Sequence, residues 1–231
     1  MLGHLSRIVD QFQGTVWAKD KESRYLYANA LLLKTYNSTL DQALGKKDAE
    51  LPAPASELGE LFYQEDQRVL VTGATTHVLS CFSWQEYQRF SFLLVQKNVL
   101  RDEKNDVIGT FGIGMDVSHN TRLTNLLLHI DPHMIDAIKQ QKQCSYSIEN
   151  TYASINTTPR EMECLFFMLR GNTAKKIASM LNLSPKTVES HIENIKHKAR
   201  CSSREQLIEK CITEGLVNII PRSLLGGISI I

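Results

Sequence analysis

The sequence lacks the features that define several large classes of protein. It contains no apolar run of the roughly 18 residues that a membrane-spanning helix needs, so we expect no membrane contact. Its first residues lack the basic start and unbroken apolar stretch of a secretory signal. Its five cysteines are odd in number, widely spaced and never arranged as CxxC, which argues against a disulfide framework or a zinc ribbon. These absences predict a protein of the reducing cytoplasm.

Signatures of catalysis are missing as well. The chain has no nucleophile elbow, no phosphate-binding loop and no zinc-binding spacing of cysteine and histidine. We therefore expect a protein that is not an enzyme and that binds neither a metal nor an obligate cofactor.

The chain also lacks an excess of charge of one sign. Its 231 residues carry 26 Lys and Arg against 25 Asp and Glu, a net charge of +1. The charge is distributed unevenly, because residues 1–150 have a net charge of −3 and residues 151–231 a net charge of +4. A sensor joined to a nucleic-acid-binding domain gives such a split, but so does ordinary variation in surface charge.

The first half of the chain has the pattern of an α+β domain. Short β-branched and aromatic runs at 15–19, 24–28, 76–82, 90–100 and 107–117 predict five antiparallel strands. Helical spacing predicts a short entry helix at 3–12, a helix at 29–36 capped by Asn29, and a helix at 57–72 that ends at Gly73. Five strands with helices gathered on one side make an α+β sheet domain, which we place at residues 1–117.

This pattern resembles that of a PAS domain. The resemblance rests on WAKDKESRYLYANALLLKTY at 17–36, GKKDAELP at 45–52, DQRVLVTGATT at 66–76 and DVIGTFGIGMDVSHNTRL at 106–123. It implies a sensory domain that can hold a small organic ligand between sheet and helices, although most aromatic residues in such a sheet belong to the core. The aromatic residues that could line this pocket are Trp17, Tyr25, Tyr27, Phe62, Trp84, Phe90, Phe92 and Phe111.

Residues 118–157 read as a connector. Apolar positions within 118–130 form one helical stripe, and Asp131 with Pro132 begins a second helix. This apolar stripe could pack against the sheet of the first domain or form a two-fold dimer interface, and the sequence does not distinguish between these alternatives. Residues 139–157 are polar and rich in Ser and Asn, so we predict the interdomain linker there.

From residue 158 onward, four helix starts follow one another closely. Thr158 to Glu161 form a capping box with proline at the first helical position, Thr173 caps a second helix, and Ser184 followed by Pro185 begins a third. A second capping box, predicted from Ser202 to Glu205, begins a fourth helix whose Leu207, Ile208, Cys211 and Ile212 we expect to be buried. Two short helices joined by a tight turn and flanked by one helix on each side make an all-α four-helix helix-turn-helix domain, at 158–231.

Residues 158–211, TPREMECLFFMLRGNTAKKIASMLNLSPKTVESHIENIKHKARCSSREQLIEKC, resemble the DNA-binding domain of the LuxR family, also called FixJ or GerE type. The resemblance implies that the helix at 185–199 enters the major groove of double-stranded DNA. The polar and basic residues we expect at that interface are Lys175, Lys176, Ser184, Lys186, Thr187, Glu189, Ser190, Glu193, Asn194, Lys196, His197 and Lys198.

Two glutamates set this sequence apart from the family pattern. Glu189 and Glu193 stand where basic residues are common in the family. A carboxylate repels phosphate but can accept a hydrogen bond from the cytosine amino group, so we expect weaker non-specific binding and a changed base preference. The whole sequence therefore predicts a homodimeric transcriptional regulator that couples a signal at the PAS-like domain to promoter binding. The alternative is a protein interaction module in which Glu189 and Glu193 meet a basic partner.

Overall fold

The structure, a computed structural model, describes residues 9, 11–52, 54–84, 89–120 and 143–225. These residues divide into two units, one formed by 9–120 with 143–145 and the other by 146–225. The predicted entry helix at 3–12, apart from its end, and the two predicted connector helices lie outside the described residues. Within the described ranges, no helix combines the length and apolarity needed to cross a membrane.

Unit 1 is built on the five antiparallel strands that the sequence predicts. They are β1 (Thr15–Asp20), β2 (Tyr25–Ala28), β3 (Thr76–Trp84), β4 (Arg89–Arg101) and β5 (Val107–Asp116). Their order is β2-β1-β5-β4-β3, so the first and last of these five strands, β1 and β5, lie side by side. The α+β prediction is confirmed.

The helices of unit 1 begin and end where their capping residues require. Helix α1 (Ala30–Thr35) starts after Asn29, whose side chain accepts a hydrogen bond from the amide of Leu32. Helix α3 (Gly59–Thr72) ends at Gly73, which has a φ of 66° and so adopts the left-handed conformation that glycine permits. Between them lie the short helix α2 (Leu40–Ala43) and 3₁₀ turns at Asp48–Glu50 and Pro54–Leu58, which the sequence pattern does not reveal.

Part of the predicted linker is regular structure. Strand β6 (Cys144–Glu149) pairs in parallel with β7 (Ile219–Pro221), so the described residues contain seven strands rather than five. Tyr146 and Ile148 alternate as buried residues along β6, and Tyr152 and Ile155 beyond it are also buried. The serines between these residues hide the alternation, because they make the segment read as polar and aperiodic.

The described part of unit 2 contains four α-helices: α4 (Pro159–Leu169), α5 (Ala174–Leu181), α6 (Pro185–Ala199) and α7 (Arg204–Thr213). Thr158, Thr173 and Ser184 cap the first three, as predicted, and the Thr158–Glu161 capping box is complete. Each cap supplies an acceptor to an amide that has no partner within the helix, so these sequence signals fix where each helix begins.

Two details of α7 differ from prediction. The capping residue is Ser203, which accepts from the amide of Gln206, and not Ser202. Ile212 is 58% exposed, whereas Leu207 and Cys211 are fully buried. The buried face of α7 is formed by Leu207 and Cys211, one turn apart, which leaves Ile208 half-buried beside it and Ile212 exposed.

Candidate functional site

The first candidate site is the outer surface of α6. This helix begins with Ser184 as cap and Pro185 at the first position, and Val188, Ile195 and Ala199 hold its inner face against the core of unit 2. The chain enters α6 from α5 through Asn182, which adopts a left-handed conformation with a φ of 54°. Because both ends of the turn are fixed by local geometry, the outer face of α6 is a preorganised surface.

Most of the residues predicted to bind DNA lie together on this surface. Lys186, Glu189, Ser190, Glu193, Asn194 and His197 are exposed along α6, and Lys175 and Lys176 are exposed on α5. Ser184 and Thr187 are partly occupied by capping, since their hydroxyl oxygens are 2.7 Å apart and Ser184 also accepts from the amide of Thr187. The hydroxyl of Ser190 donates to the carbonyl of Lys186 at 3.0 Å, which leaves its oxygen able to accept a bond.

Lys198 is engaged elsewhere. Its Nζ donates to Glu161 Oε2 at 2.6 Å and to the carbonyl of Asn156 at 3.2 Å. The same Glu161 oxygen accepts the amide of Thr158 at 2.7 Å, so one carboxylate both caps α4 and holds the end of α6. Burial acts to raise the pKa of Glu161, but the hydrogen bonds from Lys198 and Thr158 outweigh it and lower the pKa below its usual value. This geometry gives Lys198 the role of a positioning residue.

Glu193 is paired within its own helix. Its carboxylate accepts from Lys196 Nζ at 2.9 Å and lies 3.5 Å from His197 Nε2. The hydrogen bond from Lys196 lowers the pKa of Glu193, which keeps the group ionised. Glu189, one turn earlier, forms no ion pair with another described residue. The two glutamates therefore differ, since only Glu189 presents its charge alone.

The second candidate site is a cavity of about 40 Å³ in unit 1, between the sheet and the helices. Gly112 and Gly114 of β5 stand opposite Trp17 and Thr15 of β1. A Cβ atom at Gly112 would overlap the Trp17 indole, so the glycine lets this ring lie against the sheet. The residues that line the cavity are Thr15, Trp17, Lys19, Tyr25, Leu32, Tyr36, Asp48, Phe62, Glu65, Ser80, Phe82, Leu93, Val95 and Lys97.

A buried network of charges borders this cavity, and four of its five members, all except Asp66, line it. Lys19 pairs with Asp48 and, at 3.2 Å, with Asp66. Lys97 pairs with Asp66 at 2.7 Å and with Glu65 at 3.0 Å. All five side chains are at most 6% exposed, so two lysines face three carboxylates away from water.

The network shifts the pKa values of Lys97, Asp66 and two tyrosines. Burial lowers the pKa of Lys97, but Asp66 and then Glu65 outweigh it and raise the pKa overall. Burial raises the pKa of Asp66, but Lys19 and Lys97 outweigh it and lower the pKa overall. Tyr25 and Tyr36 each donate to Asp48 Oδ1 at 2.7 Å, and burial followed by the Asp48 charge raises the pKa of both phenols. These groups therefore keep a fixed pattern of donors and acceptors.

The predicted aromatic pocket residues separate into three groups. Trp17, Tyr25 and Phe62 line the cavity. Trp84 and Phe90 have side chains outside the described residues. Tyr27, Phe92 and Phe111 do not line the cavity, which corrects the prediction for these three.

Strand geometry explains the three corrections. Phe92 and Phe111 alternate with cavity-facing Leu93 and Gly112, so they point to the opposite face of the sheet. Tyr27 is two residues from Tyr25 but pairs with Ala18, because the register shifts between Ala18 and Lys19. This irregularity reverses the alternation in β2, and no sequence pattern indicates it.

The charged residues of the cavity were missed by the sequence analysis. A signal was present, because Lys19 and Lys97 follow the inward residues Trp17 and Val95, which are apolar, at the spacing of two residues that keeps a side chain on the same face of a strand. A lysine that continues the buried alternation of a strand requires a buried carboxylate. The partner carboxylates come from α3 and from the 3₁₀ turn at 48–50, and their proximity depends on tertiary structure.

Two family models match the chain. Residues 156–211 match the model described as bacterial regulatory proteins, luxR family. Residues 9–122 match the model of the PAS fold. The first covers α4 to α6 and most of α7, and the second covers the five-stranded sheet and its helices.

Curated relatives are similar over part of their length. VjbR of Brucella ovis, a quorum sensing-dependent transcriptional regulator, is 29% identical over 98 residues, which cover 42% of this chain and 38% of VjbR. VanR of Vibrio anguillarum, a transcriptional activator, is 38% identical over 61 residues, 26% of this chain and 25% of VanR. The chain thus spans little more than a third of VjbR and a quarter of VanR.

A solved structure is similar along nearly the whole chain. The VqmA dimer of Vibrio cholerae, a LuxR-type receptor solved without its target DNA, is 25% identical with a TM-score of 0.50 and covers 98% of this chain and 93% of that one. The described fold, the two family models and the similarity to VqmA all indicate the same two domains. One chain thus combines a region that matches the PAS fold with a C-terminal region that matches the luxR family of bacterial regulatory proteins.

Proposed function

We propose that the protein is a DNA-binding transcriptional regulator, a homodimer that acts in the cytoplasm and has no enzymatic activity. Unit 2 binds double-stranded DNA and unit 1 senses a signal. The names of VjbR and VanR describe regulators of transcription, and the VqmA structure is that of a dimer with a DNA target. These likenesses support the proposal, and the outer face of α6 carries it.

The argument from α6 is geometric and electrostatic. A helix that reads the major groove needs exposed side chains with hydrogen-bonding ends, and basic groups at its margins for phosphates. On α6 the exposed hydrogen-bonding side chains are Glu189 and Asn194. The basic groups at the margins are Lys186 of α6 and two lysines of α5, Lys175 and Lys176. We assign phosphate contact to the three lysines, and base contact to Glu189, Ser190 and Asn194.

Unit 1 supplies the sensing part of the proposal. Its cavity joins apolar walls to fixed donors and acceptors, the arrangement that orients a small polar molecule. At about 40 Å³ the cavity has room for only one or two molecules of the size of water, so an organic ligand must displace the side chains around it. We propose that such a ligand is a small polar organic molecule and that its entry changes the state of the regulator.

The test is DNA binding by the full chain as a function of salt. The wild-type protein is used to select duplexes from a randomised library, and its affinity for a selected duplex is measured from about 50 to 200 mM salt. We expect the logarithm of the association constant to fall linearly with the logarithm of the salt concentration. Lys186→Ala should weaken binding and make that slope shallower by about 0.9, the value for one phosphate contact.

A matched variant removes an exposed lysine from unit 1. Lys104 lies in the turn between β4 and β5. Lys104→Ala should therefore leave both the affinity for DNA and the slope of its salt dependence unchanged. Binding that is absent, or that is independent of salt on every duplex, would disprove the proposal. Equal effects of Lys186→Ala and Lys104→Ala would remove α6 as the contact surface.

A further inference from the structure

Three buried side chains in unit 1 form a chain of hydrogen bonds that the proposed function does not use. Ser145 Oγ is 3.1 Å from Glu65 Oε1 and 3.1 Å from Ser80 Oγ. Ser80 is 3%, Ser145 4% and Glu65 5% exposed, so water does not compete for these bonds. The three residues come from β3, the start of β6 and α3.

The direction of the bonds follows from the number of protons. A carboxylate only accepts, so the single hydroxyl proton of Ser145 points to Glu65. The oxygen of Ser145 is then an acceptor, and the proton between the two serines belongs to Ser80. The order of donation is Ser80 to Ser145 to Glu65, and both bonds depend on a free lone pair of the Glu65 carboxylate.

The two ends of this chain of bonds belong to the cavity. Glu65 and Ser80 both line it, and the second oxygen of Glu65 pairs with Lys97 at 3.0 Å. A molecule in the cavity that offers a hydrogen-bond donor to Glu65, or takes the proton of Ser80, therefore competes directly with Ser145. In the first case the hydroxyl proton of Ser145 loses its acceptor, and in the second case the oxygen of Ser145 loses its donor. Either loss is unfavourable in a site closed to water.

Ser145 also occupies a particular place in the chain. It is the last described residue of unit 1, and the next residue, Tyr146, is the first described residue of unit 2. Both belong to β6, whose later residues Ser147, Ile148 and Glu149 pair with β7. A change at Ser145 thus acts on a strand that leads directly into the unit that carries the helix-turn-helix.

We propose that Ser145 is a coupling residue, which links occupancy of the cavity through Glu65 and Ser80 to the state of β6 and so to DNA binding by α6. This inference rests on the proposed function and adds to it the connection between the two sites. The bonds of Ser145 hold β6 in one state, and their loss to a cavity occupant or to mutation favours another. Coupling between two binding sites requires that both act on the equilibrium of one structural element. In this proposal the sites are the cavity and the outer face of α6, and the element is β6.

The first test measures β6 itself in the full chain by hydrogen–deuterium exchange of the amides at 144–149. Ser145→Ala and Ser80→Ala should each raise exchange there by about fivefold or more, the lower end of typical coupling between sites. Ser147→Ala removes the same group two positions along the same strand, and should leave exchange at the wild-type rate. Exchange that is equal in wild type and Ser80→Ala would overturn the proposal, and Ser80→Ala decides the test if Ser145→Ala fails to fold.

The second test measures the connection to DNA with a duplex that the wild-type chain selects from a randomised library. Glu65→Gln keeps the shape of residue 65 but weakens its acceptor. It should change the dissociation constant by about fivefold in the wild-type background and leave it within about 1.5-fold in the Ser145→Ala background. Equal effects of Glu65→Gln in both backgrounds would show that Ser145 is not the coupling residue, although the wild-type chain binds DNA. A wild-type chain that selects no duplex would instead disprove the proposed function, and the exchange test would still report on the coupling of Ser145 to β6.

Discussion

The two units use the same side chain in opposite ways. In unit 1, Lys19 is 1% and Lys97 3% exposed, and each is held between carboxylates of the cavity wall. In unit 2, Lys175, Lys176 and Lys186 are exposed and form no ion pair with another described residue. A buried lysine must be neutralised where it stands, whereas an exposed lysine remains free for a phosphate. The position of a charge relative to water therefore indicates its role.

The largest expected effect comes from breaking the buried network. Lys97→Met keeps most of the volume of the side chain but leaves Glu65 without its lysine and Asp66 with Lys19 alone. Removing one partner from a buried ion pair leaves an uncompensated charge, so we expect a loss of about 3–5 kcal/mol in the free energy of unfolding. Urea denaturation followed by circular dichroism measures this loss.

The matched control for this variant is Lys104→Met, which replaces an exposed lysine in the turn after β4. Its free energy of unfolding should stay within about 0.5 kcal/mol of the wild-type value. If Lys97→Met were as stable as Lys104→Met, the buried network would not contribute as the comparison requires, and the roles assigned to the two classes of lysine would not hold.

The same distinction explains how far the sequence predicts this molecule. In unit 2 the signals are local, since Thr158, Thr173 and Ser184 cap helices through amides only a few residues away. The residues that form such interactions are close together in the sequence, so the helix-turn-helix and most of its exposed surface can be derived from the sequence alone. The exception is α7, where two adjacent serines compete and Ser203 rather than Ser202 becomes the cap.

In unit 1 the decisive interactions join distant parts of the chain. Lys19 meets Asp48 and Asp66 only after the sheet and α3 have packed, and the register shift beside Lys19 turns Tyr27 away from the cavity. Strands and helices follow from alternation and spacing, but neither pattern indicates which buried side chains meet. The fold of unit 1 is therefore predictable from the sequence, whereas the polar half of its cavity is not.

Glu161 and Lys198 provide an intermediate case. The Glu161 side chain is 5% and the Lys198 side chain 35% exposed, so the pair lies between the buried and the surface classes. Glu161→Gln removes the charge but keeps an oxygen that can accept the Thr158 amide. At neutral pH we expect a loss of about 1–2 kcal/mol in the free energy of unfolding, between the values for surface and buried pairs.

The pH dependence of this loss follows from the lowered pKa of Glu161 in the folded state. Its carboxyl has a usual pKa of 4.5, so its stabilising contribution is complete above that pH and is lost as the pH falls through the lower folded value. The stabilities of wild type and Glu161→Gln should therefore differ at neutral pH and converge in acid. Glu209→Gln, at an exposed position of α7, should show no such convergence because it starts with no difference. A gap between wild type and Glu161→Gln that stays constant into acid would contradict the assigned ion pair.

The smallest expected effect on stability comes from the pair of Glu193 and Lys196 on α6, whose side chains are 55% and 18% exposed. The change should appear in DNA binding instead. Glu193→Gln releases Lys196, now 2.9 Å from the carboxylate, and removes a negative charge from the surface that faces phosphate. Non-specific binding to a mixed-sequence duplex should tighten at low salt, and the salt dependence should steepen by up to about 0.9 as Lys196 gains a phosphate contact. The midpoint of urea unfolding should move little, because the Glu193 side chain is 55% exposed and an ion pair with such an exposed carboxylate contributes at most about 1 kcal/mol. Glu209→Gln makes the same change of charge on α7 and serves as the control, so equal tightening in both variants would mean that net charge alone is responsible. Tightening confined to Glu193→Gln would mean that the ion pair on α6 limits the attraction of the helix for DNA of any sequence, and so makes binding depend on the base contacts of Glu189 and its neighbours.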